Sequence, residues 1–89
     1  MELYDCFETL FYSVLRGNEI EFKYNNKQFY LLPYFEEKNI AKGVCFGEAY
    51  TENETVVFSP KELYAIKIEG EIFGEFFSQI EILWKNFDF

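Results

Sequence analysis

Apolar residues recur at two different periods along this chain, and the change of period marks its elements. Leu3, Phe7, Leu10, Phe11, Val14 and Leu15 are spaced by four, three, one, three and one, which is one stripe of an α-helix from about residue 2 to residue 16. Glu2, Asp5 and Glu8 lie toward its N-terminus and Arg16 in its last turn, in accord with the helix dipole, and Gly17 stands where a left-handed cap belongs. The period then falls to two. Ile20, Phe22 and Tyr24 alternate with Glu19, Glu21 and Lys23, as in a half-exposed strand. Asn25-Asn26 suits a two-residue hairpin turn because Asn tolerates positive φ. That turn sets Tyr24 opposite Lys27, Phe22 opposite Phe29 and Ile20 opposite Leu31, so the apolar residues reach one face by register alone.

The second strand is expected to end near Pro33, which cannot donate to a ladder, and Glu36-Glu37-Lys38-Asn39 reads as a polar connection. A third strand follows over Ile40 to Tyr50, with Val44 and Phe46 on one face, Cys45 and Ala49 on the other, and Gly43 and Gly47 as places to bend or bulge. A fourth runs from Glu54 to Phe58. Ser59-Pro60-Lys61-Glu62 combines a capping box with proline at the first helical position and predicts a short helical turn. Ile66 to Ile68 fits either the exit of that turn or a brief extended segment. From Glu71, the residues Ile72, Phe73, Phe76, Phe77, Ile80, Leu83, Trp84 and Phe87 make one stripe of a second long helix. The fold class this predicts is α+β in a single domain, residues 1–89: an N-terminal helix, a four-stranded antiparallel meander, a short helical turn and a C-terminal helix, with both long helices on one face of the sheet.

Charge narrows the choice of partner. Sixteen acidic residues against eight basic ones give a net charge of −8, which repels nucleic acid and anionic membrane. Twelve Phe, seven Tyr and one Trp in 89 residues supply more adhesive surface than a small core needs. The expected partner is therefore a protein, basic or apolar, with no direct nucleic-acid binding, because the eight Lys and Arg residues are scattered singly. No segment reaches the roughly 20 apolar residues that span a bilayer, so no membrane association is expected. The start, Met1-Glu2-Leu3-Tyr4-Asp5, has neither a basic region nor a continuous apolar stretch, and the cytoplasm is the expected location. Cys6 and Cys45 lack the close partners of a zinc or redox motif and read as two free thiols.

Catalytic chemistry finds little support. The chain has no histidine, the first choice for proton transfer at neutral pH. Glu36-Glu37 and Glu52/Glu54 fall in turns open to water, Ser59 is occupied as a cap, and Glu69, Glu71 and Glu75 around Gly70 and Gly74 would repel a phosphate. Glu52, Asn53 and Glu54 are hard oxygen donors without the twelve-residue loop of a calcium site. Neither enzyme activity nor a cofactor or metal is expected.

Two features point to binding. The second face of the first hairpin carries Glu19, Glu21 and Lys23 beside Tyr30, Leu32 and Tyr34, a mixture unlike a dry core and like a protein interface with tyrosine anchors and a charged rim. Acids two apart on a strand stand about 6.6 Å apart on one side. A row drawn from Glu19, Glu21, Glu52, Glu54, Glu69, Glu71 and Glu75 would offer negative charge to a groove that otherwise holds a nucleic-acid backbone. The partner-binding candidates are Glu19, Glu21, Tyr30, Leu32, Tyr34, Glu52, Glu54, Glu71 and Glu75.

In size, acidity and its N-terminal helix, its Glu19 to Lys27 hairpin and its closing segment from Ile68-Glu69-Gly70 to Trp84, the chain resembles the small acidic proteins of Gram-positive bacteria, their phages and mobile elements. That group includes anti-CRISPR and other anti-defence inhibitors, so the resemblance implies a stoichiometric protein ligand that occludes a basic or nucleic-acid-handling protein; it transfers no site residue. Two alternatives stand beside it. One is an immunity or antitoxin protein. The other is a homodimer or assembly subunit held by Tyr30, Leu32, Tyr34, Ile82 and Phe89, of which Ile82 lies off the helical stripe and Phe89 ends the chain.

Overall fold

The computed structural model describes residues 3–38 and 40–85, with side chains from Phe7 onward. It is α+β. Helix α1 (Leu3–Leu15) is followed by strands β1 (Ile20–Tyr24), β2 (Lys27–Glu37), β3 (Ile40–Glu48) and β4 (Glu54–Val57). Then come helix α2 (Pro60–Tyr64), the strand pair β5 (Lys67–Ile68) and β6 (Glu71–Ile72), helix α3 (Phe73–Phe76) with a 3₁₀ turn over Phe77–Gln79, and strand β7 (Glu81–Lys85). Strands β4, β3, β2, β1 and β7 lie side by side in that order, and every neighbouring pair is antiparallel.

Helix α1 stops where left-handed backbone is cheapest. Gly17 has φ +109°, its N–H donates to the Val14 carbonyl at 2.9 Å, and the Asn18 N–H donates to the Ser13 carbonyl at 3.2 Å, the pair of bonds that defines a Schellman cap. Arg16 follows the last helical residue instead of lying in the last turn. Across the β1–β2 turn Asn25 and Asn26 both have positive φ, 53° and 65°. The register is the one the turn chemistry predicts: Tyr24 with Lys27, Phe22 with Phe29, Ile20 with Leu31.

Strand β2 does not end at Pro33 but runs on to Glu37. Strand β1 begins at Ile20, opposite Leu31, so beyond that point β3 is the described strand neighbour of β2, and an edge position tolerates proline. Glu36 and Glu37 belong to the strand and flank Lys42 at 3.5 and 3.8 Å. Residue 39 of the expected polar connection lies outside the described residues, as do Glu2, Phe87 and Phe89. At the start of α2 the Ser59 hydroxyl accepts the Glu62 N–H at 3.1 Å, and the Glu62 carboxylate reaches back to accept the Phe58 N–H at 2.6 Å.

The long C-terminal helix is the main correction. Residues 71 and 72 close a hairpin with Lys67 and Ile68 around Glu69 (φ 53°) and Gly70 (φ 84°), the helix begins only at Phe73, and Glu81–Lys85 form a fifth sheet strand instead of a continued helix. The stripe spacing was real as far as Phe76 and Phe77. Beyond them helical propensity is not what decides, since Gln79 is a good helix former; β1 has an unpaired edge whose amides need partners. Pairing β7 there supplies them. The register shifts between Glu21 and Phe22, leaving Leu83 as the extra residue of a bulge.

The core occupies one side of the sheet. Ile20, Phe22, Phe29, Leu31, Val44, Phe46 and Val57 point inward, and Phe7, Leu10, Phe11 and Val14 of α1, Leu63 of α2, Ile66, and Phe73 and Phe76 of α3 cover them. Phe73, fully buried, is the hub: its ring lies 5.2 Å from Phe7, 5.4 Å from Phe22 and 5.0 Å from Phe46. It joins α1 to β1 and β3 through stacked and edge-on pairs. Gly74 beside it lies against the Tyr64 ring so closely that a Cβ would overlap that ring.

Phe73→Ala is expected to destabilise the protein by about 3–5 kcal/mol, the range for emptying a buried phenylalanine site. Gly74→Ala adds one methyl where there is no room and should cost about 1–3 kcal/mol. Urea titration followed by Trp84 fluorescence measures both; costs under about 1 kcal/mol would show that this cluster does not organise the fold.

Candidate functional site on the open sheet face

Alternation along the strands that sends one set of residues into the core sends the other set to a face that no described helix covers. Direct cross-strand partners define rows on it. Trp84, Glu21, Tyr30, Gly47 and Glu54 make one row across all five strands. Leu32, Cys45 and Val56 make the next, and Tyr34 and Gly43 a third. On the other side of the first row, Lys23 lies between Gln28 and Glu81.

The middle of this face is pre-ordered. The Tyr30 ring lies flat over Gly47, where any side chain would collide with it, and its hydroxyl donates to Glu54 Oε1 at 3.0 Å. The Cys45 thiol donates to the other oxygen, Oε2, at 3.3 Å. Glu54 thus holds two groups from two strands. Burial first, and the Glu54 carboxylate second, push the Cys45 thiol up to about 11 from its ordinary 9.0 and raise the Tyr30 phenol above its usual range. Both stay protonated donors at neutral pH. Tyr34 packs edge-on to Phe58, ring centres 6.4 Å apart, and Gly43 makes room for that Phe58 ring.

The candidate residues divide between two sides of the molecule. Glu21, Tyr30, Leu32, Tyr34 and Glu54 come together on the open face, with Glu19 just before β1 and Glu52 in the β3–β4 loop. Glu71 lies on the helix-covered side, where it accepts the Tyr24 hydroxyl at 3.1 Å beneath a Tyr24–Phe76 ring stack of 4.0 Å. Glu75 sits exposed on α3, and Glu69 is bound to Lys27, which Glu48 also approaches at 3.7 Å. The row imagined from seven carboxylates is therefore not one row. Glu21 and Glu54 share a row, about 14 Å apart by three strand spacings, with Tyr30 between them.

Cys45 lies on this face, as its alternation with Val44 and Phe46 predicts, and Trp84, Tyr50, Gln28 and Phe58 complete it without a sequence signal that marks them. Trp84 was hidden by a helical spacing that fits as well as the strand does. Ile82, expected to be exposed as an off-stripe helical residue, is exposed as part of edge strand β7 together with Leu83 and Trp84. A separate cleft of about 410 Å³ opens between the ends of β2 and β3 and the β5–β6 hairpin. Phe29 and Phe46 line it, with Lys27, Glu48 and Glu69 as a mutually paired rim. Among the described residues no three potential metal ligands converge, and no helix is long and apolar enough to cross a membrane.

Cys45 offers a direct check on the ordered face. Its thiol pKa is raised by folding, so the stability it contributes is present below about 9 and is lost as pH rises through about 11. At pH 8 the thiolate fraction falls roughly a hundredfold relative to the unfolded chain, and iodoacetamide should label the Cys45 peptide at least that much more slowly in native buffer than in urea. Equal rates, read by peptide mass spectrometry in a Cys6→Ser background, would show that the Cys45–Glu54–Tyr30 network does not hold.

No family model, curated protein or solved structure matches the chain.

Proposed function

We propose that this chain is a non-catalytic, stoichiometric protein ligand that presents the open face of its sheet to a basic surface, as an inhibitor that occludes a nucleic-acid-handling protein in the cytoplasm would. The observation that carries this reading is the composition of that face. Trp84, Tyr30, Leu32 and Tyr34 supply half-buried or exposed apolar and aromatic area on a sheet face that no described helix covers, and Glu21 stands among them with no ion pair to a described cation. Interfaces have this anatomy: aromatic anchors at the centre, charge beside them. A net charge of −8 adds long-range attraction to a cationic partner and speeds its encounter.

The acids on the helix side are consistent with that division of labour. Glu69 and Glu48 share Lys27, Glu36 and Glu37 share Lys42, and Glu62 caps α2, so these carboxylates are engaged within the fold. Glu21 is available to a partner.

A tagged pull-down from cell lysate, with purified partner then titrated at 1:1 stoichiometry, tests the reading. The expected partner is basic, is retained at about 0.1 M salt and is lost at about 1 M, where charges are screened beyond roughly 3 Å. Glu21→Lys and Leu32→Asp should each weaken binding tenfold or more without loss of folding. A partner indifferent to salt and to both variants would overturn the proposal, and mass that rises with concentration in the absence of any partner would replace it with self-association.

A further inference from the structure

Beside Glu21 the open face has a small pocket, about 60 Å³, lined by Glu21, Gln28, Phe29, Tyr30, Ala49 and Tyr50. The space equals about two water molecules in the liquid, enough for the planar head of a side chain and not for a metabolite. It offers two acceptors on adjacent strands, the Glu21 carboxylate and the Gln28 amide oxygen, and the Tyr30 hydroxyl is already committed to Glu54. Tyr30 and Tyr50 belong to the pocket's lining beside them, and Trp84 lies opposite Glu21 on the other side.

Tyr50 is the unusual member. It is 96 % exposed and has φ 66°, a left-handed backbone that costs a bulky residue roughly 1–2 kcal/mol relative to glycine. The turn holds it there firmly. The Thr51 N–H and hydroxyl both donate to the Glu48 carbonyl, at 3.3 and 2.9 Å, the Asn53 N–H donates to the Thr51 hydroxyl at 3.1 Å, and the Ala49 N–H ties the turn to the Gln28 carbonyl at 2.9 Å. Strain kept at an exposed aromatic contributes nothing to the core. It is the kind of outlier from which function is inferred.

We propose that this pocket receives an arginine side chain of the partner, its guanidinium forked onto Glu21 and the Gln28 amide oxygen and its plane covered by the Tyr50 ring. The inference deepens the protein-ligand reading and names its anchor. Arginine fits better than lysine because a planar, weakly hydrated fork both stacks on an aromatic ring and divides its donors between two acceptors, whereas an ammonium is a compact, strongly hydrated point charge. Lys23, one rung away, lies between Gln28 and Glu81 in the ladder and makes no ion pair with Glu21.

The probe is N-acetylarginine amide, titrated into the ¹⁵N-labelled protein, with N-acetyllysine amide and the neutral isostere N-acetylcitrulline amide as controls. Saturable shifts centred on Glu21, Gln28, Ala49 and Tyr50 are expected with Kd of about 10 mM, as suits so small a ligand. Binding should be at least fivefold weaker for the lysine probe and absent for citrulline. Glu21→Gln should weaken it at least tenfold. Tyr50→Gly should weaken binding while raising Tm by about 4 °C, because glycine relieves the left-handed strain; a purely structural Tyr50 would give the opposite pairing. Shifts spread elsewhere, or equal binding of citrulline, would overturn the proposal. A basic partner captured without arginine binding here would leave the protein-ligand reading standing and remove this anchor; arginine binding with no basic partner would do the reverse.

Discussion

Everything in this molecule follows from having to cover one side of a strongly aromatic sheet. Phe22, Phe29 and Phe46 stand together on the inner face, ring centres 5.4–5.9 Å apart, and leaving them in water would forfeit roughly 1.5–3 kcal/mol each. Helix α1 alone, with Phe7, Leu10, Phe11 and Val14, does not reach all of them. Phe73 fills the remaining gap, and the chain after it is bent to put that ring there: a hairpin at Glu69-Gly70 delivers it, a single helical turn holds it, and the chain leaves along the sheet edge. The short α3 and the added strand β7 are two consequences of one packing demand.

The same demand explains why the opposite face is open. Among the described residues there are three α-helices, of thirteen, five and four residues, all placed over the inner face, and none of them is left for the outer one. The outer face manages its exposure through small devices. Glycines at positions 43 and 47 let Phe58 and Tyr30 lie down across the strands, Glu54 ties Tyr30 and Cys45, and the bulge at Leu83 twists the apolar edge strand away from a flat ladder on which another sheet could grow. The surface that results is ordered and half apolar, with carboxylates spaced between rings, and this is what makes it a binding surface rather than an unfinished core.

Acidity, in turn, has two uses that a net charge cannot separate. Carboxylates on the helix side and at the strand ends are engaged with Lys27, Lys42, the Tyr24 hydroxyl or the N-terminus of α2, where each adds a little to local order and, being exposed, little to global stability. Glu21 is engaged by none of these. Beside it Tyr50 stands out from a braced turn in a conformation the chain would avoid if only folding mattered. The arginine anchor rests on this coincidence of a carboxylate without an ion pair among the described residues, a strained aromatic and a pocket of the right size.

Much of this was legible residue by residue. Gly17 as a cap, Asn25-Asn26 as the turn, the Phe22–Phe29 and Ile20–Leu31 pairs and the Ser59-Pro60 helix start are each decided by local backbone chemistry, within a few residues of the position concerned, and so sequence by itself determined α1, the β1–β2 register and the helical turn, while the order of the strands was left to the tertiary structure. It also marked Tyr30, Leu32 and Tyr34 as a face apart from the core, because alternation is a property of the strand alone. It did not determine the fate of residues 71–85, where Phe73, Phe76, Phe77, Ile80, Leu83 and Trp84 satisfy a helical period while an unpaired edge of β1 asks for a strand. Nor could it show that Glu69 and Glu71 belong to the other side from Glu21, or that Tyr50 rises beside it. Those outcomes depend on groups distant in sequence meeting in space, on Phe73 having a gap to fill and β1 having amides to satisfy, and only the tertiary structure could decide them.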